Sequence, residues 1–327
     1  MISERYLLWE TSEYNYPMAF GFVPDIVSYL HEDTEKRPCI LVVPGGGYRV
    51  VSPTEGEIVA LEFYNKGYNA FVCTYTVNLC GLEPLREQPM CDLSRAIRYI
   101  RANSELFHVN EDQLTVCGFS AGGHLCGSVC VHYEDIKDEN PKYAEISNRP
   151  DAAILSYPVI TAGEKAHRGS FEALFGEGAT EKELQYMSLE NHVTQDTPPC
   201  FLWQTATDET VPVENSYLFA EACKANKVPY AHHVFSKGRH GLSLANEDWA
   251  SGKFGGQYTL EQIECLVKAA EEGNVSIPKE AIDRIKKEFG IGRKIIDKTR
   301  EVPRIGEPSK EAAVWPMLAD TWLKSMR

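Results

Sequence analysis

Leu114-Thr115-Val116-Cys117-Gly118-Phe119-Ser120-Ala121-Gly122-Gly123 runs from a short apolar, strand-like stretch through the pattern Gly-x-Ser-x-Gly into a helix-compatible one. Alone, that pentapeptide occurs by chance in many chains. Between a strand and a helix it describes a sharp turn that lifts one serine clear of both elements. The backbone at such a serine is strained, and side chains two positions either side would strike the neighbouring strand and helix. Gly118 and Gly122 remove those side chains. The turn also sets Ser120 at the positive end of the following helix, where the N–H of Ala121 is free to hold a developing oxyanion.

A nucleophilic serine needs an imidazole base and an acid that orients it. Downstream, the apolar strand-like run Cys200-Phe201-Leu202-Trp203-Gln204-Thr205 leads into Ala206-Thr207-Asp208-Glu209-Thr210, which puts Asp208 and Glu209 on one loop as competing acids. Tyr230 to Phe235 reads as a further β run, and Ser236-Lys237-Gly238-Arg239-His240-Gly241 follows it, with His240 among turn-forming neighbours. Of nine histidines, His240 is the one placed to serve as base. His124, on the helix after the serine turn, reads as a packing or hydrogen-bonding residue beneath the site. His232 and His233 are adjacent in a strand, so they point to opposite faces and cannot readily share a metal. Upstream, Cys39-Ile40-Leu41-Val42-Val43 reads as a buried parallel strand that enters Pro44-Gly45-Gly46-Gly47-Tyr48. Three glycines at a strand's carboxyl end suit backbone N–H groups that must approach something closely.

These residues resemble the α/β-hydrolase fold, in which nucleophile, acid and base follow in the chain order Ser120, Asp208, His240. More narrowly, Pro44 to Tyr48, Gly118 to His124, Asp208 to Ser216 and Gly238 to Leu242 are similar to the bacterial esterase and lipase group that includes acetylxylan-esterase-like and feruloyl-esterase-like enzymes. The resemblance covers residues 1–250 and the tail from Val314 to Leu323. It implies Asp208 rather than Glu209 as the acid, and an oxyanion hole built from the N–H groups of Gly46 and Gly47 beside Ala121. It also implies a serine carboxylesterase acting on small acyl esters, acetyl groups on sugars among them, through an acyl-enzyme, with no metal or organic cofactor. Pro44 stands where many lipases of the hormone-sensitive type have histidine. Because the hole uses backbone N–H groups, that departure bears on subfamily and leaves the mechanism intact. Tyr48 and Trp203 are candidates to pack against a sugar ring, with the core as their other place. Two further readings stand beside the esterase: a prolyl-oligopeptidase-like peptidase, for whose large propeller this chain has no room, and a non-catalytic binding protein on a hydrolase fold.

With 327 residues and 43% hydrophobic content the chain can bury a large core as one domain over 1–327. A net charge of −14 disfavours nucleic acid and anionic membranes as partners and leaves a small-molecule ester as the expected one. Met1 to Glu10 carries Glu4, Arg5 and Glu10 and lacks the apolar stretch of a secretory signal, so a cytoplasmic protein is expected. Cys39, Cys73, Cys117 and Cys200, four of the ten cysteines, lie in apolar strand-like runs and read as reduced core residues. Cys126 and Cys130 share a helix face and read the same way, since no further ligand completes a zinc set.

Strand-like runs near 26–30, 39–43, 70–75, 114–117, 152–156, 200–205 and 230–235 alternate with helical patterns near 55–66, 88–103, 122–132, 213–226 and 311–324. Such alternation predicts an α/β fold, a mainly parallel sheet flanked by helices, with ligand chemistry at the strand carboxyl ends. Segments 134–150 and 161–199 read as polar or Pro-rich connections. Residues 250–310 read as a helical insertion before the last helix. Its stripes Leu260, Ile263, Leu266, Val267 and Ile282, Ile285, Phe289 need a partner, which is the sheet exterior, a cover over the site, or a second copy in a homo-oligomer.

Overall fold

The computed structural model describes residues 1–10, 12–292 and 304–326. In chain order the elements are β1 (Arg5–Leu7), β2 (Asp25–Tyr29), β3 (Arg37–Val43), α1 (Glu57–Tyr64), β4 (Asn69–Cys73), α2 (Gln88–Ala102), α3 (Ser104–Phe107), β5 (Val109–Phe119), α4 (Ala121–His132) and β6 (Ala152–Ser156). They continue with α5 (Arg168–Phe175), α6 (Glu181–Tyr186), β7 (Cys200–Thr205), α7 (Glu214–Ala225), β8 (Tyr230–Phe235), α8 (Glu247–Ala250), α9 (Glu261–Glu271), α10 (Lys279–Phe289) and α11 (Trp315–Ser325).

The strands form one eight-stranded sheet in the order β1-β2-β4-β3-β5-β6-β7-β8. The β1–β2 and β2–β4 pairs are antiparallel, and every pair from β4–β3 onward is parallel. Apolar residues on consecutive positions of β3 explain how one sheet supports two cores. Cys39, Leu41 and Val43 enter a cluster with side chains of α2, α4 and α7, while Ile40 and Val42 enter another with α1, α8 and α11. Cys126, Cys130 and Cys200 lie in the first cluster and Cys117 in the second, all buried as free thiols.

Residues 161–199, expected as connection, carry α5 and α6. The start of α6 was legible: Thr180 and Glu183 form a reciprocal capping box, the Thr-x-x-Glu signature of a helix N-terminus. α5 is eight residues long with no side-chain cap, too short to show a sustained period. The region 250–310 carries α9 and α10, and its residues 293–303 lie outside the described ones. Ile263, Val267, Ile282 and Ile285 join the cluster that contains α2 and α4. Gln262 adds polar pairing there: its amide accepts from the Val77 N–H at 2.8 Å and donates to the Val77 carbonyl at 2.7 Å. From residue 304 the chain runs along the serine side, where the Ile305 N–H donates to the Ala250 carbonyl. Among the described residues no helix is long and apolar enough to cross a membrane.

Candidate active site

β5 ends at Phe119 and α4 begins at Ala121, so Ser120 alone makes the turn, with φ 53° and ψ −118°. A non-glycine residue in that region is strained, and the surroundings hold it. Its N–H donates to the Ser156 carbonyl at 3.0 Å, and its carbonyl accepts from Val159 at 3.1 Å and His124 at 3.0 Å. A Cβ on Gly118 would lie 2.3 Å from the Gly122 carbonyl oxygen, and one on Gly122 would lie 2.2 Å from that of Val43. The two glycines are therefore required by close approach, as the collision argument predicted.

Asp208, after β7, and His240, after β8, meet this serine. His240 Nδ1 lies 2.7 Å from Asp208 Oδ2, and His240 Nε2 lies 2.8 Å from Ser120 Oγ. An ionised carboxylate only accepts, so Nδ1 carries the proton and Nε2 presents the lone pair that receives the Ser120 hydroxyl. The other oxygen of Asp208 accepts from the N–H groups of Thr210 and Val211, both at 3.0 Å, which fixes the carboxylate plane. Glu209 is exposed, and Asp208 is the one of the two acids that the structure brings to His240. His240 is 16% exposed and Asp208 1%, so the pair has one open side, toward Ser120 and the pocket.

Gly46 and Gly47 border the same pocket as Ser120 and His240. Gly46 has φ 122°, and a Cβ there would sit 2.1 Å from the Val50 carbonyl oxygen, so the turn over Arg49 and Val50 admits only glycine. Among the described residues the N–H groups of Gly46, Gly47 and Ala121 find no protein acceptor.

Two expected contacts are overturned. Tyr48 is fully buried, its hydroxyl hydrogen-bonded to His124 Nδ1 at 2.8 Å. Trp203 is also fully buried, its N–H donating to Ser156 Oγ at 2.7 Å and its ring stacked on Trp315 at 5.3 Å. Neither can touch a sugar. Both are aromatic side chains that bury a large apolar area and satisfy one polar atom inside the core. His124, read as lying beneath the site, does so.

The residues that do line the pocket of about 610 Å³ include Arg49, Glu55, His167, Arg239, Trp249 and Ile305. Arg239 sits in the Gly-Arg-His-Gly stretch, where adjacency to His240 was an available signal. Glu55 lay at the start of an expected helix, where an acidic residue ordinarily reads as a dipole partner. Ile305 is reached only through the return of the chain after α10, which no local pattern announces. Burial, with His240 and Arg49 nearby, pushes the His167 imidazole below its usual range.

Residues 25–223 match the BD-FAE family. An endo-1,4-beta-xylanase B of Butyrivibrio fibrisolvens is 52% identical over 255 residues, 78% of this chain and 40% of that protein. An acetylxylan esterase of Xylanibacter ruminicola is 30% identical over 226 residues, 67% of this chain and 44% of that protein. The chain thus spans less than half the length of these two relatives. An acetyl ester-xyloside bifunctional hydrolase from Caldicellulosiruptor lactoaceticus, 38% identical, superposes with a TM-score of 0.69 over 84% of this chain and 97% of that one. A carboxylesterase from Lactobacillus plantarum, 23% identical, shares the fold with a TM-score of 0.68 over 100% and 98%. With an α/β-hydrolase sheet, and a family match that spans more than half of its length, this chain belongs to the BD-FAE family.

Proposed function

We propose that the protein is a serine carboxylesterase that removes short acyl groups, with acetyl esters of xylan-type sugars as its substrate class. The observation that carries this reading is the continuous Ser120–His240–Asp208 hydrogen-bond relay, with unpaired N–H groups beside its serine. The names of two relatives, an acetylxylan esterase and an acetyl ester-xyloside hydrolase, support the choice of ester and sugar.

In this mechanism Ser120 Oγ attacks the ester carbonyl carbon while its proton passes to His240 Nε2. Asp208 holds the imidazole and balances the positive charge that forms on it. The carbonyl oxygen becomes an oxyanion facing the N–H groups of Gly46, Gly47 and Ala121, each such donor contributing on the order of 3 kcal/mol at the transition state. Collapse breaks the bond to the alcohol oxygen, which leaves with the proton from His240. A water molecule then gives a proton to His240, attacks the acyl-enzyme and releases the carboxylic acid with Ser120 restored.

The test is a panel of 4-nitrophenyl esters from acetyl to octanoyl, acetylated xylo-oligosaccharides and dipeptide amides, assayed with the wild type and with Ser120→Ala. The names of two relatives point to acetyl esters, and the pocket sets Arg49, Thr210, His167 and Arg239 beside Trp249 and Ile305. Activity is therefore expected to peak at acetyl or propionyl and to fall by octanoyl. Higher efficiency on octanoyl esters, or cleavage of amides alone, contradicts the reading.

A further inference from the structure

Glu55 is a fully buried carboxyl group that borders the pocket and takes no part in the relay. Its two oxygens have separate partners. Oε2 accepts from the Gly45 N–H at 2.8 Å, and Oε1 lies 2.6 Å from the Tyr157 hydroxyl. The Tyr157 oxygen in turn accepts from the Ser243 N–H at 3.0 Å. The backbone N–H groups can only donate, and the Tyr157 hydroxyl is the donor to Glu55. Ser243 donates to Tyr157, Tyr157 donates its hydroxyl proton to Glu55, and Gly45 donates to the other oxygen. Both carboxyl oxygens accept from fixed donors, which is the pattern of an ionised carboxylate.

The residues joined in this way belong to three parts of the site. Gly45 leads the turn that presents Gly46 and Gly47, Tyr157 follows β6, and Ser243 lies three residues after His240. The Tyr157 ring also packs edge-on against the His240 imidazole, with centroids 4.9 Å apart. Among the described residues no Lys or Arg pairs with Glu55. A buried carboxylate without a cation is costly unless hydrogen bonds and a nearby positive charge offset it. The cation that the proposed reaction creates in this pocket is the His240 imidazolium.

We infer that Glu55 is a positioning residue of the esterase site: an ionised carboxylate that ties the oxyanion turn to the His240 loop through Tyr157 and supplies counter-charge to His240 as it takes the serine proton. The inference rests on the esterase reading. The electrostatics agree with the geometry. Burial pushes the Glu55 carboxyl above its usual range, while the bonds from Tyr157 and Gly45 and the nearby His240 draw it back. Because the charge matters most when the imidazolium forms, its contribution falls on the transition state rather than on substrate binding.

Two substitutions separate charge from shape. Glu55→Gln keeps the shape and removes the charge, and with its one oxygen kept on the Gly45 N–H its NH2 group would leave the Tyr157 hydroxyl proton without its acceptor. Glu55→Asp keeps the charge and shortens the reach. On 4-nitrophenyl acetate, Glu55→Gln is expected to lower kcat about 100-fold with KM within about threefold of wild type, and Glu55→Asp to lose less than Glu55→Gln. A Gln variant with wild-type kcat, or one that outperforms the Asp variant, overturns the inference. If Glu55→Gln does not fold, Tyr157→Phe decides: it leaves the carboxylate in place, cuts the link to Ser243, and should lower kcat, and an unchanged kcat refutes the link. The rate of Ser120 labelling by a fluorophosphonate keeps the two readings distinguishable. If the wild type labels but hydrolyses no ester, the proposed function fails. Slower labelling of Glu55→Gln would still uphold the role of Glu55, and labelling at the wild-type rate would overturn it.

Discussion

Tyr48 donates its hydroxyl proton to His124 Nδ1 across 2.8 Å, directly beneath the turn that carries Ser120. The direction follows from the other side of the ring, where Nε2 lies 3.0 Å from the Met187 carbonyl oxygen, which can only accept. His124 is thus held as the neutral tautomer with its proton on Nε2. Tyr48 is in turn the residue after Gly47, so the contact anchors the oxyanion turn to α4.

Burial pushes the His124 imidazole down to about 4, with the Met187 carbonyl opposing the shift and His132 adding to it. An unfolded histidine titrates near 6.5, so between those values the unfolded chain binds a proton that the folded one refuses. Stability from this group is full above pH 6.5 and is lost as pH falls toward 4, by about 3 kcal/mol. Denaturant unfolding of the wild type at a series of pH values should show that decline. In His124→Gln, whose amide can serve both neighbours without titrating, the decline should be smaller by about that amount. Parallel curves for the two proteins would contradict the assignment.

Removal of the relay members should not give additive losses. Ser120→Ala should abolish ester hydrolysis and fluorophosphonate labelling together. Asp208→Asn should lower kcat about ten-thousand-fold, because the amide no longer selects the tautomer that leaves Nε2 free. His240→Ala combined with Asp208→Asn should be no slower than His240→Ala alone, since triad members act as a unit. Steady-state kinetics of the single and double variants provide the check. Labelling that persists in Ser120→Ala would move the nucleophile elsewhere.

The serine turn tolerates no added carbon at Gly122. A methyl group there meets the carbonyl oxygens of Val43 and Pro44 at 2.2 Å and 2.5 Å, backbone atoms that cannot rotate away. Gly122→Ala must therefore push α4 from β3 and displace Ser120 with it. A loss of about 3 kcal/mol in unfolding free energy is expected, in the range of overpacked cores. Activity should fall further than stability alone accounts for, because small misplacements of a nucleophile are expensive. Chemical denaturation beside kinetics at a temperature where both proteins are folded separates the two effects.

The parts of the site written in contiguous residues are legible in the sequence. Gly118 to Gly122 and Gly45 to Gly47 carry their geometry in glycine spacing, and Asp208 and His240 follow the strand-like runs Cys200–Thr205 and Tyr230–Phe235. Tyr48 and Trp203 misled for a physical reason: an aromatic beside a motif looks the same whether its ring faces a ligand or fills the core, and only packing decides. Glu55 and Tyr157 were invisible because their significance lies in a bond between positions about a hundred residues apart. Ile305 was invisible for a related reason, since it comes to the pocket through the return of a long excursion.

That excursion leads to a last prediction. The Gln262 amide on α9 satisfies both backbone groups of Val77, which lies beyond the end of β4 where no strand pairs with it. The next residue, Asn78, donates its N–H to the Tyr48 carbonyl at 2.8 Å, so the path from α9 continues to the residue that anchors the oxyanion turn. Val77 and Gln262 are both buried, and water cannot replace the lost partners. Gln262→Ala should therefore leave a donor and an acceptor unpaired and cost about 2–4 kcal/mol in unfolding free energy. It should also lower kcat through slack in the turn over Gly46 and Gly47. Replacement of residues 255–305 by a short Gly/Ser linker should be worse, because it uncovers the core side chains that Ile263, Val267, Ile282 and Ile285 now meet. If Gln262→Ala melts and turns over as the wild type does, α9 and α10 are ornaments on the sheet. A loss in both measurements makes them part of the scaffold that holds the site.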